Sequence, residues 1–400
     1  MTTTATTTTP AVSTGQKQDS WLAVISVAMG VFTLVTSEIL PVGLLTPIAD
    51  GLSVAEGTAG LMVATPGLMA AVSAPILTVA TAKADRRKVL MVLSLLVVIA
   101  NVVSAISESF TTVLAARVLV GIATGGFWSI AGGIALRIAP HGKVSKAVAL
   151  VYGGGGAATV AGVPLVTIVG DAVSWRASFL VVAGLAALTF VFLLIFVPAL
   201  PSQGSVRVGQ LTDLLRSNRG VQVGAMLTVL FVAGHFTAYT YVRPVLQSGG
   251  ISAAEISLLL VVFGIAGLTG NALAAVLLEK HLTGTLIGIA ALMGAATAGM
   301  AVVPLSLVSA ALLMLMWGLA FGLLAPSVQS WYLRAAPDAA ELSTAINTFF
   351  FNLSIAVASF VGGLLVDEIA VTAVLWAGSA LAVTAAAAAW FGSARVAVAD

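Results

Sequence analysis

Residues 117–140 read RVLVGIATGGFWSIAGGIALRIAP, and residues 314–337 read MLMWGLAFGLLAPSVQSWYLRAAP. The two stretches register at a constant offset of 197: Gly121 with Gly318, Gly125 with Gly322, Leu136-Arg137 with Leu333-Arg334, and Pro140 with Pro337. Each is an apolar run of membrane-crossing length with glycines four residues apart, the spacing that lets helices approach closely. A second match lies upstream in both halves. Pro41-Val42 answers Pro244-Val245, and Leu52-Ser53-Val54-Ala55-Glu56 answers Ile251-Ser252-Ala253-Ala254-Glu255. In matching order, these pairs argue for two parallel six-helix repeats, an arrangement common in secondary transporters. Aligned on Pro41 and Pro244, Glu38 answers Tyr241, and Arg117 answers Met314. Both intramembrane charges are then expected in the N-terminal half alone.

The rest of the chain fits that frame. At 60% hydrophobic and 8% charged residues, it is far from a soluble domain, which carries about 25% charged residues. Apolar segments of roughly 20 residues, the length that crosses a bilayer, fall at 21–45, 58–80, 89–107, 111–135, 146–169, 177–197, 222–244, 256–278, 283–302, 306–331, 341–365 and 370–392. The expected fold class is an all-α integral membrane protein, with twelve transmembrane helices in two pseudo-symmetric halves, 21–197 and 222–392. A threonine-rich tail (1–20), a linker (198–221) holding a short amphipathic piece at Leu211–Leu215, and a second tail (393–400) complete the expected layout. The N-terminal stretch has no basic region followed by a short apolar run, so the first helix is expected to stay in the mature chain.

Lysine and arginine set the orientation. Of the 17, fourteen fall on the side of the N-terminus, only Arg176 and Arg243 fall in loops on the other side, and Arg117 lies within a span. The positive-inside rule then puts both termini in the cytoplasm and supports an even number of spans.

Several activities are disfavoured. A net charge of +2 gives no basic surface for nucleic acid, and the chain has no cysteine for disulfides or thiolate metal sites. His141, His235 and His281 lie far apart in topology, and neither HExxH nor GxSxG occurs, so neither a metal site nor an enzyme is expected. No ring of charges or selectivity-filter sequence suggests a channel.

The polar residues at membrane depth carry the chemistry. Glu38 is an acid in the outer third of the first apolar segment, followed by Pro41. Such a residue by default faces a cavity or a partner. Low polarity favours the neutral form of a carboxyl, so it reads as a proton-coupling or cation-recognising acid, or else as an interfacial glutamate near a helix end. Arg117 shares a face with Gly121 and Gly125 and should pair with carbonyls, water or an acid, or else snorkel to the outer interface. Gly153–Gly156, Gly162 and Pro164 give the fifth segment close packing and a proline kink. Trp128, His235, Tyr239, Tyr241, Asn271, Trp317, Phe321, Asn347 and Phe351 are candidates to line a substrate cavity. Together they suggest a mostly apolar pocket with a few polar groups, suited to a small amphipathic molecule, although an aromatic stripe such as Trp317-Phe321 is more often packing.

On these motifs the chain resembles the major facilitator superfamily, and within it the twelve-helix drug:proton antiporters. Arg117-Val118-Leu119-Val120-Gly121 with Gly125 is similar to the motif whose arginine is implicated in proton coupling. Gly162-Val163-Pro164 resembles the core of the exporters' antiporter motif. Asp85-Arg86-Arg87-Lys88 stands where the family has a gating loop, here shortened. Glu38-Ile39-Leu40-Pro41-Val42-Gly43-Leu44-Leu45-Thr46-Pro47 looks like the first-span signature of bacterial efflux proteins for sugars, chloramphenicol and purine nucleosides, and Gly125-Gly126-Phe127-Trp128, Tyr241-Val242-Arg243-Pro244-Val245 and Trp317-Gly318-Leu319 particularly resemble the purine ribonucleoside exporters among them. The resemblance implies a monomer in the bacterial inner membrane that exports small organic molecules in exchange for protons, with no cofactor beyond the proton gradient. Glu38 and Arg117 would couple to the proton, and Asp85, Arg86 and Arg87 would gate the cytoplasmic side. A proton-coupled importer and a non-transporting membrane sensor are the alternatives.

Overall fold

The computed structural model describes residues 20–81, 83–201 and 208–395. The tails expected at 1–20 and 393–400 fall largely outside those residues, as does Arg207 of the linker. The chain is helical, with no strand among the described residues. Among the described residues, twelve helices are long and apolar enough to cross a membrane: Trp21–Leu52 (α1), Glu56–Thr78 (α2), Arg86–Ile106 (α3), Phe110–Ala131 (α4), Lys146–Ala172 (α5), Trp175–Phe196 (α6), Arg219–Tyr239 (α7), Ala253–Leu278 (α8), Leu282–Val302 (α9), Leu307–Ala335 (α10), Leu342–Glu368 (α11) and Ala373–Gly392 (α12). Short connections make successive helices antiparallel within each set of six. One end of the bundle, here called proximal, therefore carries the start of α1, and the distal end carries its finish.

Sequence-local chemistry sets the helix ends. Ser20 caps α1 through its hydroxyl, and Asp85 caps α3. The box of Ser252 and Glu255 caps α8, each side chain bonding the other's backbone. Connections are tight because polar backbone cannot be left unpaired in hydrocarbon. The amphipathic linker piece is a helix, Val208–Ser217, and Leu211, Leu214 and Leu215 pack onto the core of the C-terminal set.

Glycine sets the closest contacts, and it does so twice. A Cβ at Gly121 or Gly125 would meet the backbone of Pro66 or Ala70 on α2, and one at Gly318 or Gly322 would meet the backbone of Phe263 or Gly267 on α8. The paired glycines thus bring α4 against α2 and α10 against α8 in the same way.

α1 runs on to Leu52, where Ser53 turns left-handed (φ 53°). Glu38 therefore sits near the middle of a 32-residue helix, not in its outer third. The structure also corrects the register between α1 and α7. Leu44 breaks α1 (φ −125°, ψ 19°) three residues before Pro47. Tyr241 breaks the chain in the same manner (φ −110°, ψ 20°) three residues before Pro244. Left-handed backbone follows at Ser53 and at Gly250, and Val54 N–H bonds Ala49 C=O as Ile251 N–H bonds Leu246 C=O. All these pairs share the offset of 197 found for α4 and α10. Pro244 is thus the counterpart of Pro47, not Pro41, and the counterpart of Glu38 is His235.

Candidate functional site

A proline inside a helix has no N–H, so the carbonyl four residues earlier loses its partner. In hydrocarbon that carbonyl must find another. Pro41 frees Ser37 C=O, Pro66 frees Met62 C=O, and Pro47 frees Gly43 C=O. Arginine answers all three. Arg117, fully buried on α4, donates Nη1 to Ser37 O at 2.8 Å, Nε to Met62 O at 2.9 Å and Nη2 to Glu38 O at 2.6 Å. One guanidinium thus fastens the bends of α1 and α2 together, which the glycine face of α4 makes possible by closing the gap. Arg243 Nη1 donates to Gly43 O at 2.5 Å.

Glu38 and Arg117 do meet, but through the Glu38 backbone. The carboxylate is left apart from the guanidinium's bonds. Glu38 is 6% exposed, and its Oε1 is buried with no hydrogen-bond partner among the described residues. Next to it, Ser37 Oγ accepts from Asn101 Nδ2 at 2.8 Å. An orphaned oxygen on a buried carboxyl costs free energy unless it holds a proton or receives a ligand. Ile39 and Val42, beside it on α1, belong to the apolar cluster that also holds Tyr239, Phe263 and Trp317 of the other set of helices.

His235, the pseudo-symmetric counterpart, is the hub of an aromatic box. Phe321 stacks on it at 4.1 Å between ring centroids and Tyr239 at 4.7 Å, and Trp317 meets it edge-on at 5.6 Å. Phe263 stacks on Tyr239 at 4.7 Å. The structure thus brings together four of the expected cavity residues, His235, Tyr239, Trp317 and Phe321. Asn347 lies in a polar chain on the proximal side. Thr228 donates to Asn347 Oδ1 at 3.1 Å, Asn347 Nδ2 to Gln329 Oε1 at 2.9 Å, and Gln329 Nε2 to Thr344 Oγ1 at 2.7 Å. Phe351 follows Asn347 one turn on, half-buried. Asn271 is exposed on α8, two turns from Phe263. Trp128 is in the other set of helices, against Tyr152 at 5.7 Å.

Tyr241 belongs elsewhere, to a seam across the distal end. Its hydroxyl donates to Ser359 O at 2.6 Å and lies 3.3 Å from Gly57 O. Gly57 N–H bonds Asp367 Oδ1 at 2.8 Å, and Thr46 Oγ1 lies 2.6 Å from Glu56 Oε1 and 2.7 Å from Gln247 Oε1. Arg243, expected as a loop cation, is 3% exposed in the helix Val242–Ser248. It pairs with Asp171 of α5 at 2.7 Å while capping Gly43. The pairing is what allows a charge to be buried there. Ser257 Oγ, at 3.5 Å from Asp171 Oδ2, completes the group. The two sets of helices are thus latched together at the distal end. Asp171 and Asp367 carry no motif that marks them in the sequence, and Thr46 is marked only as part of the first-span signature. The signal for Arg243 was Pro47, whose freed carbonyl calls for a donor.

The expected gating residues hold the proximal end of the N-terminal set. Asp85 Oδ1 accepts from Arg87 N at 2.9 Å and Leu200 N at 3.0 Å. Arg86 donates to Thr81 Oγ1 at 2.9 Å, and Arg87 Nη2 to Leu194 O. Gly162 closes a π-helical turn, Ala158–Gly162, just before Pro164, and a Cβ there would meet Thr36 of α1. The same turn receives Gly264 of α8, whose Cβ position lies 2.6 Å from Val160 Cα. Such turns concentrate at functional sites.

Comparison with known proteins agrees with this architecture. A family model described as Major Facilitator Superfamily matches residues 21–359. The chain is 33% identical over 379 residues to the transcription regulatory protein OpdE of Pseudomonas aeruginosa, covering 93% of each. It is 30% identical over 355 residues to the purine ribonucleoside efflux pump NepI of Salmonella paratyphi A, covering 88% of this chain and 89% of that one. The crystal structure of the nucleoside transporter NupG superposes with a TM-score of 0.75 at 13% identity, over 93% of this chain and 99% of that one.

Proposed function

The chain belongs to the major facilitator superfamily, and from that premise we propose that it is a proton-coupled exporter of small organic molecules of the nucleoside or sugar-like class. The observation that carries this reading is Glu38: a buried carboxyl at the middle of α1, with one oxygen unpartnered among the described residues, next to Ile39 and Val42 of the apolar cluster that both sets of helices share. Around it Arg117 pins the bends of α1 and α2, so the acid is held in place while its proton remains free to exchange. The termini are cytoplasmic by the positive-inside rule, which makes the distal seam the outer gate. This conformation is then the one closed to the outside. Substrate enters from the cytoplasm, the distal latch parts, and protonation of Glu38 from outside favours release and return. A bacterial inner-membrane location and a monomeric state complete the proposal.

Export is favoured over import by the likeness to a purine ribonucleoside efflux pump. A second reading has its own support. The relative described as a transcription regulatory protein covers 93% of this chain, which favours a sensor that binds but does not carry. Proton release from purified protein on adding inosine, a sugar or an amphiphilic antibiotic separates the two. Release on adding one compound, lost in Glu38→Gln while binding remains, supports coupling at Glu38. Binding without release, or release unchanged in Glu38→Gln, contradicts it.

A further inference from the structure

Among the described residues, three buried nitrogens in the aromatic box have no partner: His235 Nδ1, His235 Nε2 and Trp317 Nε1. Both side chains are fully buried. Buried polar atoms are almost always paired, and leaving one unpaired costs about 1–3 kcal/mol. Three within one pair of touching rings therefore need a reason. A neutral imidazole presents one donor and one acceptor, and an indole presents one donor. The box thus offers two donors and an acceptor, walled by the faces of Tyr239, Phe263 and Phe321.

Phe321 is the ring that can give way. It stacks on His235 yet is only half-buried, and it shares its helical face with Ala325, which is exposed, and Gln329, which is half-buried. A rotation of Phe321 uncovers the imidazole from that side. Two helical turns from His235 on α7, about 10 Å at 1.5 Å per residue, Thr228 begins the polar chain through Asn347 to Gln329. One elongated ligand can therefore meet stacked rings at one end and hydroxyl-binding groups at the other.

We infer that the box around His235 and Trp317 is the slot for a planar heteroaromatic ring that carries acceptor and donor atoms on its edge, as a purine base does, with Phe321 as its movable cover. The inference rests on the export reading for its biological sense, and it names the part of the substrate that the C-terminal helices read. His235 answers Glu38 across the repeat, so the equivalent position serves recognition in one half and the proton in the other.

The test is equilibrium binding to the purified full chain in detergent. Two probes are compared: inosine, and benzimidazole riboside, which keeps the fused rings and the sugar but loses the heteroatoms of the six-membered ring. Wild type should bind inosine at least tenfold more tightly. Trp317→Phe, which keeps a ring and removes the N–H, should weaken inosine about tenfold and leave the benzimidazole riboside within twofold, as should His235→Phe. Equal affinity of wild type for the two probes overturns the slot, and so does inosine binding within twofold of wild type in both variants. If neither variant folds, the wild-type ratio alone decides. Selective inosine binding without movement across vesicles keeps the slot and removes the export reading. Transport of a sugar or antibiotic with no inosine binding does the reverse.

Discussion

Replacing Asp171 with asparagine should open the distal end. The Asp171–Arg243 pair joins α5 to the helix that follows α7, and so spans the two sets of helices. A state with the distal end apart does not have it. Its full worth is therefore a difference between the two states, which is what shifts a conformational equilibrium. The side chains are 4% exposed for Arg243 and 20% for Asp171, and the main contact is 2.7 Å. A hydrogen bond to a charged group in such a setting is worth about 1.5–3 kcal/mol. Asparagine keeps an acceptor oxygen, and Arg243 keeps the Gly43 carbonyl, so the loss is set at about 2 kcal/mol. At 1.4 kcal/mol per tenfold, that is about a thirtyfold change in the ratio of open to closed protein. The native chain has no cysteine, so spin labels on Asp50→Cys and Ser248→Cys, exposed positions on the two sides of the seam, report the distal separation cleanly. The long-distance population should rise about thirtyfold relative to the short one in Asp171→Asn. Exchanging the charges, Asp171→Arg with Arg243→Asp, should return only part of it, because an aspartate cannot cap Gly43. Identical distance distributions in wild type and Asp171→Asn would refute the latch.

Arg117→Lys should lower thermal stability, because an ammonium on a flexible stem cannot hold three carbonyls in the geometry of the guanidinium. With two carbonyls left unpaired, the loss is about 2–6 kcal/mol. Pro41→Ala gives Ser37 C=O an N–H again, so the double variant should lose less than the sum of the singles, and strict additivity in unfolding followed by size exclusion contradicts the pinning role. Gly322→Ala should abolish recovery of folded protein, since the new Cβ meets the backbone carbonyl of Gly267. Gly153→Ala, which meets open space, should be neutral or stabilising by up to about 1 kcal/mol, and equal yields from the two variants would sink the packing account.

Much of the fold was legible because the membrane imposes it. Twelve apolar segments, lopsided lysine and arginine, and the paired glycines at 121, 125, 318 and 322 each report a constraint that acts along the chain. The site was only partly legible. Glu38 and Arg117 stood out as charges at membrane depth, but whether carboxylate or carbonyl faces the guanidinium depends on the bend at Pro41, which spacing alone does not determine. The counterpart of Glu38 was misassigned to Tyr241 because α1 has two prolines, and only the backbone breaks at Leu44 and Tyr241 show which one matches Pro244. Asp171 has no motif around it that marks it in the sequence. Its meaning comes from Arg243, 72 residues away, and from the carbonyl that Pro47 leaves free. A rule that pairs each mid-helix proline with a donor for the carbonyl four residues back would have flagged Ser37, Met62 and Gly43 from sequence alone.

Coupling at Glu38 is the centre of the account, and everted membrane vesicles test it most directly. With a proton gradient imposed, acid inside, vesicles bearing the wild-type chain should accumulate inosine against its concentration. Collapsing the gradient should release it. Glu38→Gln should accumulate none yet still exchange labelled for unlabelled inosine, since the carrier itself is intact. Accumulation by Glu38→Gln equal to wild type, or wild-type accumulation indifferent to the gradient, would contradict the account.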